Sequence, residues 1–264
     1  MPKYRTEDIR NITLVGHTGS GKTSLIEALL VKSGTIGEAG SVERGTTTTD
    51  HDPLEKEFQH SLDSAIASLE FDGTHINLID TPGFADFRGP TLTAMAATET
   101  TAVVINAHNG IELSTRRLMR RAKNRRLCRM IIINKIDQQG VNLGKLVKAI
   151  REEFGPECLP INLPADNLST VHDCFFHTEG KTDILSLAEA HDAIIDQVVE
   201  TSEALMEKYL EGAELSRDEL HDAFELALRE GHLVPICFTS ALTGAGLDEF
   251  LGMCKRLMPN PLEG

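Results

Sequence analysis

No stretch of this 264-residue chain approaches the ~20 consecutive apolar residues that span a membrane. Basic residues are few. Twenty-six Lys and Arg stand against 40 Asp and Glu, for a formal charge of −14. A sequence-blind nucleic-acid binder needs the opposite balance to displace counterions. The N-terminus, Met1-Pro2-Lys3-Tyr4-Arg5-Thr6-Glu7-Asp8, is polar and is not the apolar core of a signal peptide. Cysteine is scarce and unpatterned. There are five, an odd number, with no C-x-x-C pair, which argues for reduced thiols in a cytoplasmic chain. The ten histidines form no H-x-x-x-H pair, so no structural zinc site is expected. What remains is ordinary globular composition, 41% apolar and 25% charged.

Patterning supplies the architecture. A short apolar strand, Asn11–Val15, is followed by an amphipathic helix with Leu25, Ile26, Leu29 and Leu30 at helical spacing. Residues 35–60 have little periodicity and read as a long loop. Ala65–Phe71 alternates, meets the turn Asp72-Gly73, and returns through Ile76–Ile79. Helical stretches near Thr91–Glu99, Leu113–Arg126 and Leu143–Phe154 then alternate with the buried strands Ala102–Ile105 and Met130–Ile133. Such alternation predicts an α/β fold, a mostly parallel sheet with helices on both faces. The pattern breaks over 156–232, where prolines crowd strand-like stretches at Cys158–Leu163 and Val171–His177, and helical runs follow near Ser186–Leu210 and Ser216–Arg229. It resumes with Val234–Phe238 and a last helix, Leu247–Leu257. The expected organisation is therefore one domain, 1–155 with 233–264, carrying an α+β inserted subdomain at 156–232.

Four motifs carry chemistry. Gly16-His17-Thr18-Gly19-Ser20-Gly21-Lys22-Thr23, continued by Ser24, fits G-x-x-x-x-G-K-[ST] between a strand and a helix, the context a P-loop requires. Its glycines let backbone N–H groups wrap phosphate oxygens at a helix N-terminus. Lys22 can bridge β- and γ-phosphates, and the Thr23 hydroxyl can ligate Mg²⁺. Asp80-Thr81-Pro82-Gly83 closes a strand; Asp80 can hold Mg²⁺ through water and the Gly83 N–H can sense a γ-phosphate. Asn134-Lys135-Ile136-Asp137 closes another. A carboxylate at Asp137 accepts from guanine N1–H and the exocyclic amine, whereas adenine would face it with a lone pair. Asn134 can support the Hoogsteen edge and the Lys135 stem can cover the ring. Ser240-Ala241-Leu242 follows the last strand, where the Ala241 N–H can bond guanine O6. In this order, the four specify GTP or GDP with Mg²⁺ at the carboxyl ends of a parallel sheet, a P-loop NTPase G domain.

With these motifs the chain resembles the translational GTPases, and within them elongation factor G. Asp80-Thr81-Pro82-Gly83-Phe84-Ala85-Asp86-Phe87 resembles the family's DTPGHVDF. Thr201–Gly212 resembles a segment of its inserted subdomain, and Leu257-Met258-Pro259-Asn260-Pro261 its exit to the next domain. The resemblance covers essentially the whole chain but only the family's nucleotide-binding domain. It implies a GTPase switching ribosome association, with ribosomal RNA and proteins and further C-terminal domains as partners. It implies a cytoplasmic location, no membrane and a monomer.

The sequence also departs from that family. Phe84 stands where the histidine that orients the attacking water is usual, and a phenyl ring can do no such thing. Since positioning and electrostatics carry phosphoryl transfer, hydrolysis should suffer more than binding. The alternative is that Phe84 packs in a gate while another group substitutes. A nucleotide-gated binding module with little hydrolysis, or a ribosome-protection or release-factor-like GTPase, are the rival functions. Counting back from Asp80 by the family's spacing places the Mg²⁺-ligating hydroxyl of the first switch loop at Ser61, not at the look-alike Arg44-Gly45-Thr46-Thr47. Gly19 replaces the usual P-loop Asp, which puts a monovalent-cation site in doubt. The cluster of Arg116, Arg117, Arg120, Arg121, Lys123, Arg125, Arg126 and Arg129 reads either as a solvated helix face or as a contact for RNA or an acidic domain.

Overall fold

A computed structural model describes residues 4–84, 88–175, 177–213 and 215–263. The first strand, β1 (Ile9–Gly16), feeds the P-loop and then α1 (Lys22–Lys32). α1 turns Leu25, Ile26 and Leu29 into the core with no exposed surface. Burying each contributes about 1.5–3 kcal/mol. A short helix, α2 (Pro53–Phe58), precedes the hairpin of β2 (Ala65–Phe71) and β3 (Thr74–Asp80), which turns at Asp72-Gly73 with both residues at positive φ. α3 (Arg88–Ala96), β4 (Thr100–Asn106), α4 (Leu113–Asn124), β5 (Cys128–Asn134) and α5 (Leu143–Phe154) continue the α/β alternation.

The segment after α5 holds β6 (Cys158–Pro160), β7 (Asn162–Ala165), β8 (Thr170–Asp173), α6 (Leu187–Val199), α7 (Glu203–Leu210) and α8 (Arg217–Glu230), before β9 (Val234–Phe238) and α9 (Leu247–Leu257). Seven strands form one sheet in the order β2–β3–β1–β4–β5–β9–β6, with β2 alone antiparallel to its neighbour. β4 and β5 are buried at every position, as apolar strands covered on both faces must be. α1 packs on α9 and against β1, β2 and β3, while α4 packs on β1, β4 and β5. The register sets Gly16 beside Val104, Asp80 beside Leu14 and Asn134 beside Asn106. The carboxyl ends of β1, β3 and β5 therefore share one edge, where sheets of this kind bind ligands.

Three expectations need correction. Residues 35–60 are not all loop, because α2 forms there under a capping box of Asp52 and Glu55 with Pro53 in the first turn. The helical run near 186–210 is two helices, separated where Ser202 caps α7 through the Leu205 N–H. Cys158–Pro160, expected in the inserted part, pairs in parallel with β9 as the edge of the main sheet. Pro160 signalled a break, yet an edge strand tolerates a residue without an N–H. β7 and β8 pair only with each other, and the Asn162 side chain both accepts from Phe238 N–H (2.8 Å) and donates to Phe238 O (3.3 Å). Ala85, Asp86 and Phe87, part of one stretch that carries the family resemblance, lie outside the described residues.

Candidate nucleotide-binding site

The P-loop backbone takes the left-handed turns that glycine allows. Gly19 and Gly21 have φ of 76° and 89°. A Cβ on Gly21 would meet Asn134 Nδ2 at 2.6 Å, and one on Gly16 would meet Val104 O at 2.4 Å. Lys22 is buried and donates to Gly16 O (3.2 Å) and His17 O (3.3 Å), so its ammonium sits inside the loop it follows. Burial pulls its pKa down and the nearby Asp80 carboxylate opposes this. His17 is held aside, with Nδ1 at 2.7 Å from Thr18 O and 3.3 Å from Glu112 Oε1.

Asp80 is buried at the end of β3, where its Oδ2 accepts from Thr23 Oγ1 (2.6 Å) and Thr49 Oγ1 (3.2 Å). Burial pushes its pKa up, and Lys22 is the largest opposing influence. Its other oxygen, Oδ1, is buried without a hydrogen-bond partner. An orphaned carboxylate oxygen beside a threonine hydroxyl is the hard-oxygen donor set that fits Mg²⁺. Gly83 lies against the P-loop, since a Cβ there would come within 2.6 Å of the Thr18 amide nitrogen. Thr18, Gly19, Gly21, Lys22, Thr23, Ser24, Ser61 and Gly83 line a cavity of about 300 Å³ together with His60 and Lys135.

A neighbouring cavity of about 800 Å³ is lined by Asn134, Lys135, Asp137, Ala241 and Leu242, and Ser24 and Lys135 line both. Its polar residues are cross-tied. Asn134 Nδ2 donates to Ser20 O (3.2 Å) and Gly21 O (3.3 Å), while its Oδ1 accepts from Thr239 Oγ1 (3.3 Å) and Ala241 N–H (3.2 Å). The Ser240 hydroxyl donates to Asp137 Oδ1. Asn134 thus braces the P-loop, and the Ala241 N–H, expected on guanine O6, is given to Asn134.

Ser61 lines the phosphate cavity, but its hydroxyl donates to Asp50 Oδ1 (3.0 Å). Thr47 also donates to Asp50, through Oδ2 at 2.6 Å. The hydroxyl on Asp80 from this loop is that of Thr49, which the spacing argument did not single out. Two buried glutamates were missed as well. Glu27 of α1 accepts from the Gly40 (2.7 Å) and Thr48 (2.5 Å) amides. Glu55 accepts from the amides of His51 and Asp52 (both 3.0 Å), Leu62 (2.9 Å) and Asp63 (3.3 Å). The D-P-x-E pattern from Asp52 to Glu55 was a legible cap; a carboxylate on the core-facing side of α1 was the signal for Glu27.

Residues 7–260 match the family described as the elongation factor Tu GTP binding domain. An elongation factor G-like protein of Mycobacterium tuberculosis is 34% identical over 268 residues, 97% of this chain and 38% of the relative. One of Thermotoga maritima is 32% identical over 269 residues, 97% of this chain and 39% of the relative. Tetracycline resistance protein TetW of Butyrivibrio fibrisolvens is 33% identical over 243 residues, 92% of this chain and 36% of the relative. A crystal structure from Thermus thermophilus aligns with a TM-score of 0.88 at 34% identity, over 97% of this chain and 41% of that one. The chain thus spans about two fifths of the length of the curated relatives it matches. With the match running through nearly all of it, this chain belongs to the elongation factor Tu GTP-binding domain family and is an elongation factor G-like GTP-binding domain.

Proposed function

We propose that this chain binds GTP with Mg²⁺, hydrolyses it slowly in isolation, and thereby switches the ribosome association of an elongation factor G-like protein in the cytoplasm. The observation that carries this reading is the convergence of Lys22 and Thr23, the latter bonded to Asp80, on the phosphate cavity with Asn134 and Asp137 on the adjoining one. The P-loop amides and Lys22 hold the phosphates. Asp137 selects guanine, and the Lys135 stem lies between the two cavities. Mg²⁺ supplies charge neutralisation at the phosphates, with the Thr23 and Ser61 hydroxyls as ligands and Asp80 acting through water. Both hydroxyls are tied to Asp50, but Ser61 lines the phosphate cavity whereas the buried Thr47 is not among its lining residues, which supports the choice of Ser61. Hydrolysis would release the loop around 40–62 and the segment after Gly83, a load-and-release switch.

The rival without useful hydrolysis is a nucleotide-gated binding module. Single-turnover GTP hydrolysis by the full-length protein, with and without ribosomes, separates the two: ribosome-stimulated turnover supports the switch, and GTP binding with no turnover supports the module. A ribosome-protection role is favoured by one relative, the tetracycline resistance protein. Raised tetracycline tolerance of cells making the full-length protein would support it.

A further inference from the structure

The hydrolysis proposed above needs a polar group to fix a water against the terminal phosphate, and the Phe84 side chain has none to offer. A neighbouring ring on the phosphate cavity does. His60 lines that cavity with Lys22, Thr23 and Gly83. Its ring centroid lies 4.5 Å from that of Phe84 with the planes at 55°, and 6.0 Å from that of Phe58 with the planes at 22°. The imidazole is half-buried between two exposed phenyl rings, which leaves it little freedom to swing.

Its backbone is fixed too. Gln59 ends α2 in the left-handed region at φ 56°, and the His60 N–H returns to Glu55 O at 3.2 Å. Glu55 in turn gathers amides from both ends of this segment. Nδ1 of the ring is buried, so Nε2 is the atom that would meet a water, and one imidazole nitrogen is enough to orient it.

We propose that His60 is the catalytic residue that orients the attacking water, and that Phe84 is a positioning residue whose ring sets the imidazole. This rests on the GTPase reading above. The water oxygen bonds to the γ-phosphorus and the bond from that phosphorus to the β–γ bridging oxygen breaks. Its electron pair leaves with GDP, and the protons of the water pass to inorganic phosphate and solvent.

The test is single-turnover GTP hydrolysis by the full-length protein on ribosomes, with GDP affinity and thermal midpoint measured beside it. His60→Phe keeps the stacked rings and removes the polar atoms. GDP affinity should stay within threefold while hydrolysis falls by roughly 100-fold or more, the usual effect of such a group. His60→Gln, which can still hold a water, should recover about tenfold over His60→Phe, as should the exchange variant carrying both His60→Phe and Phe84→His. Phe84→Leu should slow hydrolysis in the wild-type background and have no further effect beside His60→Phe, a coupling that a purely structural ring would not show. If His60→Phe hydrolyses GTP as fast as wild type, His60 is not the group. If the wild type binds GDP but never turns over GTP, the GTPase reading itself fails and His60 falls with it.

Discussion

Asp137 lines the second cavity and its Oδ1 accepts from the Ser240 hydroxyl, which leaves Oδ2 as a further acceptor. Asp137→Asn turns one acceptor into a donor, so the variant should lose roughly 10²-fold in GDP affinity and gain for XDP, the size of effect expected from a mismatched buried hydrogen bond. Calorimetry of both proteins with GDP, ADP and XDP checks this; wild-type affinity for ADP equal to that for GDP would sink the guanine assignment. At this scale the sequence was most readable where a residue's own chemistry marks it, and the fold brings Lys22 and Thr23 to one cavity and Asp137 to its neighbour. It was least readable where a residue acts through a neighbour brought by the fold. The motif marked Asn134, but its hold on Ser20 O and Gly21 O exists only because β5 ends beside the P-loop.

The segment between α1 and β2 shows what periodicity cannot report. It buries Thr47, Thr49, Asp50 and Glu55 while exposing most of its neighbours, with no repeat of two or 3.6. Its order comes from side-chain carboxylates collecting backbone amides, and such bonds leave no repeating signature in sequence. The strands, by contrast, were legible because apolar runs such as Met130–Ile133 admit no other placement, and only β6, three residues long and ending in proline, was assigned to the wrong part. Glu55→Ala should free four amides at once. Hydrogen exchange at His51, Asp52, Leu62 and Asp63 should then quicken tenfold or more, an opening made easier by ~1.4 kcal/mol, while β4 and β5 stay protected. Unchanged exchange at these four amides would mean that other contacts hold the segment.

Across the whole molecule, all five cysteines are buried and unpaired. Burial pushes the Cys128 and Cys158 thiols up to about 12, and raises Cys174, Cys237 and Cys254 as well. A raised pKa keeps each protonated at pH 8, and the protonated form is unreactive. Fewer than one thiol per chain should react with Ellman's reagent over minutes in the folded protein, and all five in guanidinium. Rapid modification of a single thiol in the folded state would show a local opening that the packing does not suggest. The absence of a C-x-x-C pair foretold free thiols, but that all five lie within the packed interior depends on tertiary contacts no composition reveals.

Asn134 has one more consequence. A single amide grips the phosphate loop with its nitrogen and the loop after β9 with its oxygen, so a ligand that stiffens either side stiffens the other. On this basis the two cavities should be thermodynamically linked. Guanosine and pyrophosphate, added as separate molecules, should bind with positive cooperativity, and each should strengthen the other by the same factor. Asn134→Ala should bring that factor to one, so that the protein treats the halves of its nucleotide as strangers; a coupling that survives the substitution would have to travel by another route.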